Sequence, residues 1–325
     1  MSKYIRIGVS ALLLAIIAWR TDWSVVGEKF ANLNVGFWLA AVGVLIFAQL
    51  ASARRWQLFA RELRFERSLV QYGAYYFIGM WFNLSLPTSV GGDVVRVWYL
   101  DNQSGRKLAA FASVFLERIN GLLVLIAVAF VGLLIAPMEL PLPIRASVWA
   151  VTGGAVLGVM TLPLAQRWRW LPLQRREQLH AVVELAKAPR VVAEATVMSI
   201  LVQVSGVVTV WLIGLALGLD IPITYCCILG PMVSLLTLLP ISVNGMGVRE
   251  LGTIAFLAPL NVNAGEASTL AFLWFAVSVA VSLMGGLIYL FGAYPKAQTA
   301  TKEENNGPVD RDSNQGREGK YSQAA

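Results

Sequence analysis

Long apolar runs alternate with short polar segments along most of this chain. Residues 36–53, 108–136, 145–165, 194–218 and 268–292 each form a run broken by few or no charges. Each is about long enough to cross the ~30 Å hydrocarbon core of a bilayer as a helix. A sixth run follows Lys3 and Arg6 and ends at Trp19. It lacks an A-x-A cleavage site and a second run follows soon after, so it reads as a retained anchor. Two further stretches, 69–100 and 222–262, are apolar but interrupted by proline, glycine and charge. The pattern predicts an all-α polytopic helical membrane protein of about six full spans plus two broken or re-entrant helical segments. The integral membrane domain is expected over 1–293. Residues 294–325 lack the apolar content to fold and read as a disordered cytoplasmic tail.

The polar segments carry their own periodicity. In 54–68, Trp56, Phe59, Ala60 and Leu63 fall at i, i+3, i+4 and i+7, the spacing of an amphipathic helix on a membrane surface. Leu179, Val182, Val183 and Ala186 predict a second such helix within 166–193. Gly154 and Gly158 form a small-xxx-small pattern that permits close helix packing.

The two interrupted stretches contain the same phrase. Residues 86–96 read LPTSVGGDVVR and residues 239–249 read LPISVNGMGVR, identical at seven of eleven positions without a gap. The shared residues include Pro87 and Pro240, Ser89 and Ser242, Gly92 and Gly245, and Arg96 and Arg249. Proline and glycine are poor choices for a helix interior, so the phrase predicts a duplicated helix break. Pro87, Gly91, Gly92, Pro240, Gly245 and Gly247 are its candidate structural residues.

Charge sets the orientation. The chain is 57% hydrophobic and 14% charged with a net charge of +7. Of its 26 lysines and arginines, 21 fall in the N-terminus, 54–68, 96–107, 166–193 and the tail. Placing those segments inside satisfies the positive-inside rule and puts both termini in the cytoplasm, in a multi-pass inner-membrane protein. The same bias explains the basic charge without nucleic acid. Under this orientation, arginine-bearing segments flank the first phrase on both sides, and three spans separate it from the second. The two copies then enter from opposite faces, as an inverted repeat, the arrangement in which transporters build midplane sites from broken helices.

Charges at membrane depth mark the candidate chemistry. These are Asp93, Arg96, Glu117, Arg118, Arg249 and Glu250. Arg96 and Arg249 suit an anion, because a planar guanidinium clamps phosphate or carboxylate at two points. Ser89, Ser242 and Asn244 add polar groups beside them, and a half-helix starting near Gly92 or Gly245 would add its N-terminal potential. Together these nine are the expected substrate-binding residues. The same charges can also serve structure alone, by neutralising one another between segments. A single histidine and the adjacent Cys226 and Cys227 offer no metal cluster, no disulfide framework and no cofactor site. The chain contains no P-loop, G-x-S-x-G or H-E-x-x-H motif, so no enzymatic step is expected.

Three blocks in order, LPTSVGGDVVR, SVFLERINGL at 113–122 and PISVNGMGVRE at 240–250, resemble the lysylphosphatidylglycerol synthase transmembrane-region family. The resemblance implies a lipid-translocating, flippase-like role, carried by the motif positions above. It covers the chain to about residue 292. The bifunctional members of that family add a soluble aminoacyl-transferase domain. Here only the tail follows, so a stand-alone member without aminoacyl transfer is expected. The expected cargo is a membrane lipid bearing an anionic or phosphate group. The alternatives are a non-transporting partner that presents lipid to a glycosyltransferase or synthase, and an intramembrane transferase.

Overall fold

The computed structural model describes residues 3–20, 23–85, 91–101, 105–136, 140–165, 188–292 and 294. Its described residues are mainly helical with no strand. In chain order the helices are α1 (Lys3–Arg20), α2 (Trp23–Ala31), α3 (Val35–Glu62), α4 (Leu69–Ser85), α5 (Gly91–Asp101) and α6 (Lys107–Ile135). They continue with α7 (Leu142–Ala165), α8 (Pro189–Ala216), α9 (Ile223–Leu238), α10 (Val248–Leu257), a 3-10 turn over Ala258–Leu260, and α11 (Ala264–Phe291). One compact unit spans Met1–Ala293. The amphipathic pattern within 166–187, Pro87, Ser89 and the tail beyond 294 lie outside the described residues.

Local chemistry accounts for the helix ends. The Asn34 side chain accepts from the Gly36 and Phe37 amides and starts α3. Asn263 and Glu266 close a reciprocal capping box at the start of α11. Pro189 opens α8, where its missing N–H costs nothing.

Among the described residues, five helices are long and apolar enough to cross a membrane: α3, α6, α7, α8 and α11. Large apolar side chains on them face outward, among them Phe47, Val131, Leu157 and Leu287. The chain is an all-α polytopic membrane protein. The expected sixth span, α1, is 18 residues long and has lysine or arginine at positions 3, 6 and 20. Residues 54–62 differ from the expected surface helix. They continue α3 without a break, and Arg55, Trp56, Phe59 and Ala60 are buried. The i, i+3, i+4, i+7 stripe packs on protein: Phe59 joins Leu58, Leu116 and Ala195 in one apolar cluster, with Leu63 against it.

Four consecutive helices recur. α3, α4, α5 and α6 have 28, 17, 11 and 29 residues. α8, α9, α10 and α11 have 28, 16, 10 and 28. Packing follows the same correspondence. α4 lies on α11 as α9 lies on α6; α3 pairs with α4 as α8 does with α9; α5 lies on α6 as α10 lies on α11. α3 packed on α8 also couples the halves directly, and the two run antiparallel. The Asn34 amide donates to the Ala216 carbonyl at one end (2.9 Å), and Arg55 reaches Ser199 toward the other (2.9 Å). Gly132 and Gly285, separated by the same 153 residues as Arg96 and Arg249, sit at the matching crossings. A Cβ on Gly285 would lie 1.9 Å from the Phe77 carbonyl oxygen, and one on Gly132 would lie 2.8 Å from Cys227 Cβ. Gly154 and Gly158, by contrast, meet nothing within 4 Å.

Candidate functional site

Each copy of the repeated phrase joins an apolar helix to a shorter one that packs back on it. At about 1.5 Å per residue, α4 and α9 reach about 24–26 Å and α5 and α10 about 15–17 Å. In the first hairpin the helices touch backbone to backbone. A Cβ on Gly92 would sit 2.1 Å from the Gly79 carbonyl oxygen, and the Gly92 amide donates to Asn83 Oδ1 at 2.7 Å. The loop of the second hairpin meets the first: Asn244 Nδ2 donates to the Leu84 carbonyl at 3.2 Å.

The first half holds a buried ion network. Glu117 on α6 accepts from Arg55 on α3 through Nε (3.1 Å) and Nη2, and from Arg96 on α5 (3.1 Å). Asp93 accepts from Arg96 at 3.3 Å and from Arg118 at 2.9 Å. Arg96 is sandwiched by aromatic rings, 4.3 Å from the centroids of both Trp56 and Tyr76. Arg55 also donates to Ser199 on α8, and Asn120 donates to Thr196 at 3.1 Å. Gly121 makes room for this, since a Cβ there would stand 2.7 Å from Arg55 Nη1. Each ion pair joins different helices, except the Arg96–Asp93 pair within α5. Three guanidiniums face two carboxylates, which leaves one positive charge in excess. Arg118 is the accessible member, its side chain 44% exposed.

The second half is built differently. Asn244, Gly245 and Gly247 all have positive φ (51°, 74° and 83°), which winds the loop tightly before α10 begins at Val248. Arg249 stands in the first turn. Its Nη2 donates to the Asn244 carbonyl at 3.3 Å and its guanidinium lies 5.1 Å from the Phe275 ring centroid. Its Nη1 is buried with no hydrogen-bond partner, and so is Ser242 Oγ of the same phrase. Arg96 also has an unpartnered Nε, but both its terminal nitrogens are bound. Glu250 does not pair with Arg249. Its carboxylate caps its own helix, accepting from the Gly247 amide at 2.6 Å.

The structure therefore brings Asp93, Arg96, Glu117 and Arg118 into one cluster and keeps Arg249, Ser242, Asn244 and Glu250 in another. Gly91 and Gly92 open α5, and Pro240, Gly245 and Gly247 lie in the second loop. Arg55, Ser199, Asn120 and Thr196 are members that sequence reading did not single out. The available signal was the uninterrupted helical register from the apolar run into Arg54-Arg55-Trp56. Among the described residues no group of histidine, cysteine or carboxylate could hold a metal ion.

A bundle of long apolar helices, two short hairpins with the second loop meeting the end of α4, and charges buried between helices define a polytopic membrane protein with a polar interior. The family model for the lysylphosphatidylglycerol synthase TM region matches residues 4–286, and the chain belongs to that family. Neither the curated proteins nor the solved structures contain a match. Family membership places the chain in membrane-lipid biology.

Proposed function

We propose that this protein translocates a lipid, or a lipid-linked molecule, with an anionic head group across the cytoplasmic membrane. The observation that carries the reading is Arg249 Nη1, a buried cationic donor without a hydrogen-bond partner, in the same repeated phrase as Ser242 Oγ, which also has none. An unsatisfied buried donor costs about 1–3 kcal/mol, and more when charged. A phosphate or carboxylate accepting from Nη1 removes that cost. The excess positive charge of the first cluster and the accessible Arg118 favour the same sign of ligand.

The matched halves support a two-sided mechanism. On this reading the hairpins are re-entrant and form an inverted repeat. The antiparallel α3 and α8, together with the charge bias that puts both termini inside, support that assignment. The head group engages the second loop in one state. Exchange of the packing between halves exposes the first cluster to the opposite face. The first cluster acts as the closed gate, because Glu117 and Asp93 already occupy the anion positions around Arg96. No chemical step is assigned to the protein.

The test is leaflet exchange of labelled anionic lipids in proteoliposomes. Arg249→Ala is expected to lower exchange at least tenfold with the melting temperature retained, and Arg249→Lys to recover only part of it. Exchange equal to wild type in folded Arg249→Ala protein would refute the assignment. Absence of exchange by wild type, with a lipid-modifying enzyme co-purifying, would favour a presenting role.

A further inference from the structure

We infer that the cavity between α1, α2 and α11 holds one hydrocarbon chain of the amphiphile whose anionic head engages the second loop. This rests on the head-group reading above and adds where the chain goes.

The cavity has a volume of about 400 Å³ and is lined chiefly by Leu14, Ile17, Val26, Phe30 and Phe272, with Glu250 at one corner. Of its polar neighbours, Glu250 Oε2 accepts from the Gly247 amide and the Thr269 hydroxyl donates to the Gly265 carbonyl. Ser268 Oγ has no hydrogen-bond partner. The rest of the lining is apolar apart from the Trp23 indole N–H, which donates to the Ala18 carbonyl. The space suits hydrocarbon.

The walls are fastened rather than loosely apposed. Lys29 on α2 pairs with Glu266 on α11 at 2.9 Å and donates to the Leu217 carbonyl at 3.3 Å. Phe30 and Phe272 meet edge to face at 5.9 Å. α1 lies directly on the second loop: a Cβ on Gly247 would be 2.5 Å from Leu13 Cβ. The occupant follows from continuity. Phe275, against which the Arg249 guanidinium lies, is one helical turn along α11 from Phe272 in the cavity wall, and Gly247 is shared by the loop and the α1 contact. A chain in the cavity therefore runs along the same stretch of α11 that the Arg249 guanidinium contacts. An amphiphile with an anionic head and an apolar chain satisfies both places at once, whereas a free anion fills only one.

The experiment uses the full chain in nanodiscs and a monoacyl glycerol phosphate carrying a diazirine near the chain end. Photolabelling is mapped by mass spectrometry. Label is expected on the α1, α2 and α11 segments that contain Ile17, Val26 and Phe272. Excess unlabelled monoacyl glycerol phosphate removes it. Val26→Trp, which fills the cavity, is expected to lower that labelling at least tenfold, as is Arg249→Ala. Phe272→Ala enlarges the cavity and is expected to shift the best-competing chain to a greater length; this arm decides the matter if Val26→Trp does not fold. Unchanged labelling in folded Val26→Trp, an unshifted chain length in Phe272→Ala, or label concentrated on the outward faces of α7 would overturn the proposal. Loss of label in Val26→Trp but not in Arg249→Ala would keep the cavity as a chain site and sink the head-group assignment instead.

Discussion

Glu117 is the keystone of the first cluster, and Glu117→Gln isolates its contribution. The carboxylate is almost fully buried and accepts from both Arg55 and Arg96. Replacing it with the neutral amide keeps the volume and raises the cluster from one excess positive charge to two. Breaking a buried ion pair from one side costs about 3–5 kcal/mol, because the stranded charge stays desolvated. At about 2–4 °C per kcal/mol, the melting temperature should fall by roughly 6–20 °C. Thermal unfolding in detergent, followed by size-exclusion of the surviving monodisperse fraction, reads that shift. The double variant Arg55→Met with Glu117→Gln returns the excess to one charge, and Arg96 keeps its contact with Asp93. It should melt above the single Glu117→Gln variant, with a coupling of about 0.5–3 kcal/mol. A Glu117→Gln protein melting within about 2 °C of wild type would refute the reasoning, as would additive effects in the double variant. Either result would mean that the arginines are stabilised by water or lipid instead of this carboxylate.

Other expectations follow from the same geometry. Ser242→Ala removes a buried unpartnered hydroxyl, so stability should hold or rise by up to about 1–3 kcal/mol. Lipid exchange should nonetheless fall; a parallel loss of both would show a structural role. Gly285→Ala and Gly132→Ala drive a methyl into a neighbouring helix and should each cost about 1–3 kcal/mol or more. Gly154→Ala and Gly158→Ala meet open space and should be neutral, or stabilise by up to about 1 kcal/mol; melting curves of the four variants separate the two groups. With Cys226 and Cys227 replaced by alanine, Ser104→Cys should react with an impermeant maleimide only from the cytoplasmic face and Asn263→Cys only from the other. Labelling of both from one face would undo the inverted-repeat assignment.

Much of the architecture was readable in the linear pattern, because a bilayer enforces simple rules. Backbone groups in hydrocarbon must be satisfied within the segment, so each long apolar run has to be a helix. The five longest runs correspond to α3, α6, α7, α8 and α11, and the interrupted stretches to the hairpins α4–α5 and α9–α10. The recurrence was visible in the sequence only as eleven residues. The correspondence of four helices per half was not, since lipid-facing and helix-packing positions accept many apolar side chains. Residues 54–62 were misread for a related reason. An amphipathic stripe fits a membrane surface and a protein neighbour equally well, and only packing against Leu116 and Ala195 tells them apart.

The candidate site divides along the same line. Sequence by itself picked out the charges set in or beside apolar runs and showed that the phrase around Arg96 recurs around Arg249. It also required Glu117 and Arg118 to find partners on other segments, since neighbours on a helix point in different directions. Tertiary structure decided who those partners are: Glu117 bridges Arg55 and Arg96, while Arg118 holds Asp93. It also decided that the two arginines of the repeated phrase are not equivalent. Arg96 is neutralised by carboxylates from α5 and α6. Arg249 faces Phe275 and a backbone carbonyl and keeps a buried donor unspent. The physical reason is that a charge's role in a low-dielectric interior depends on the few groups within hydrogen-bond reach, and those come from helices far apart in the chain.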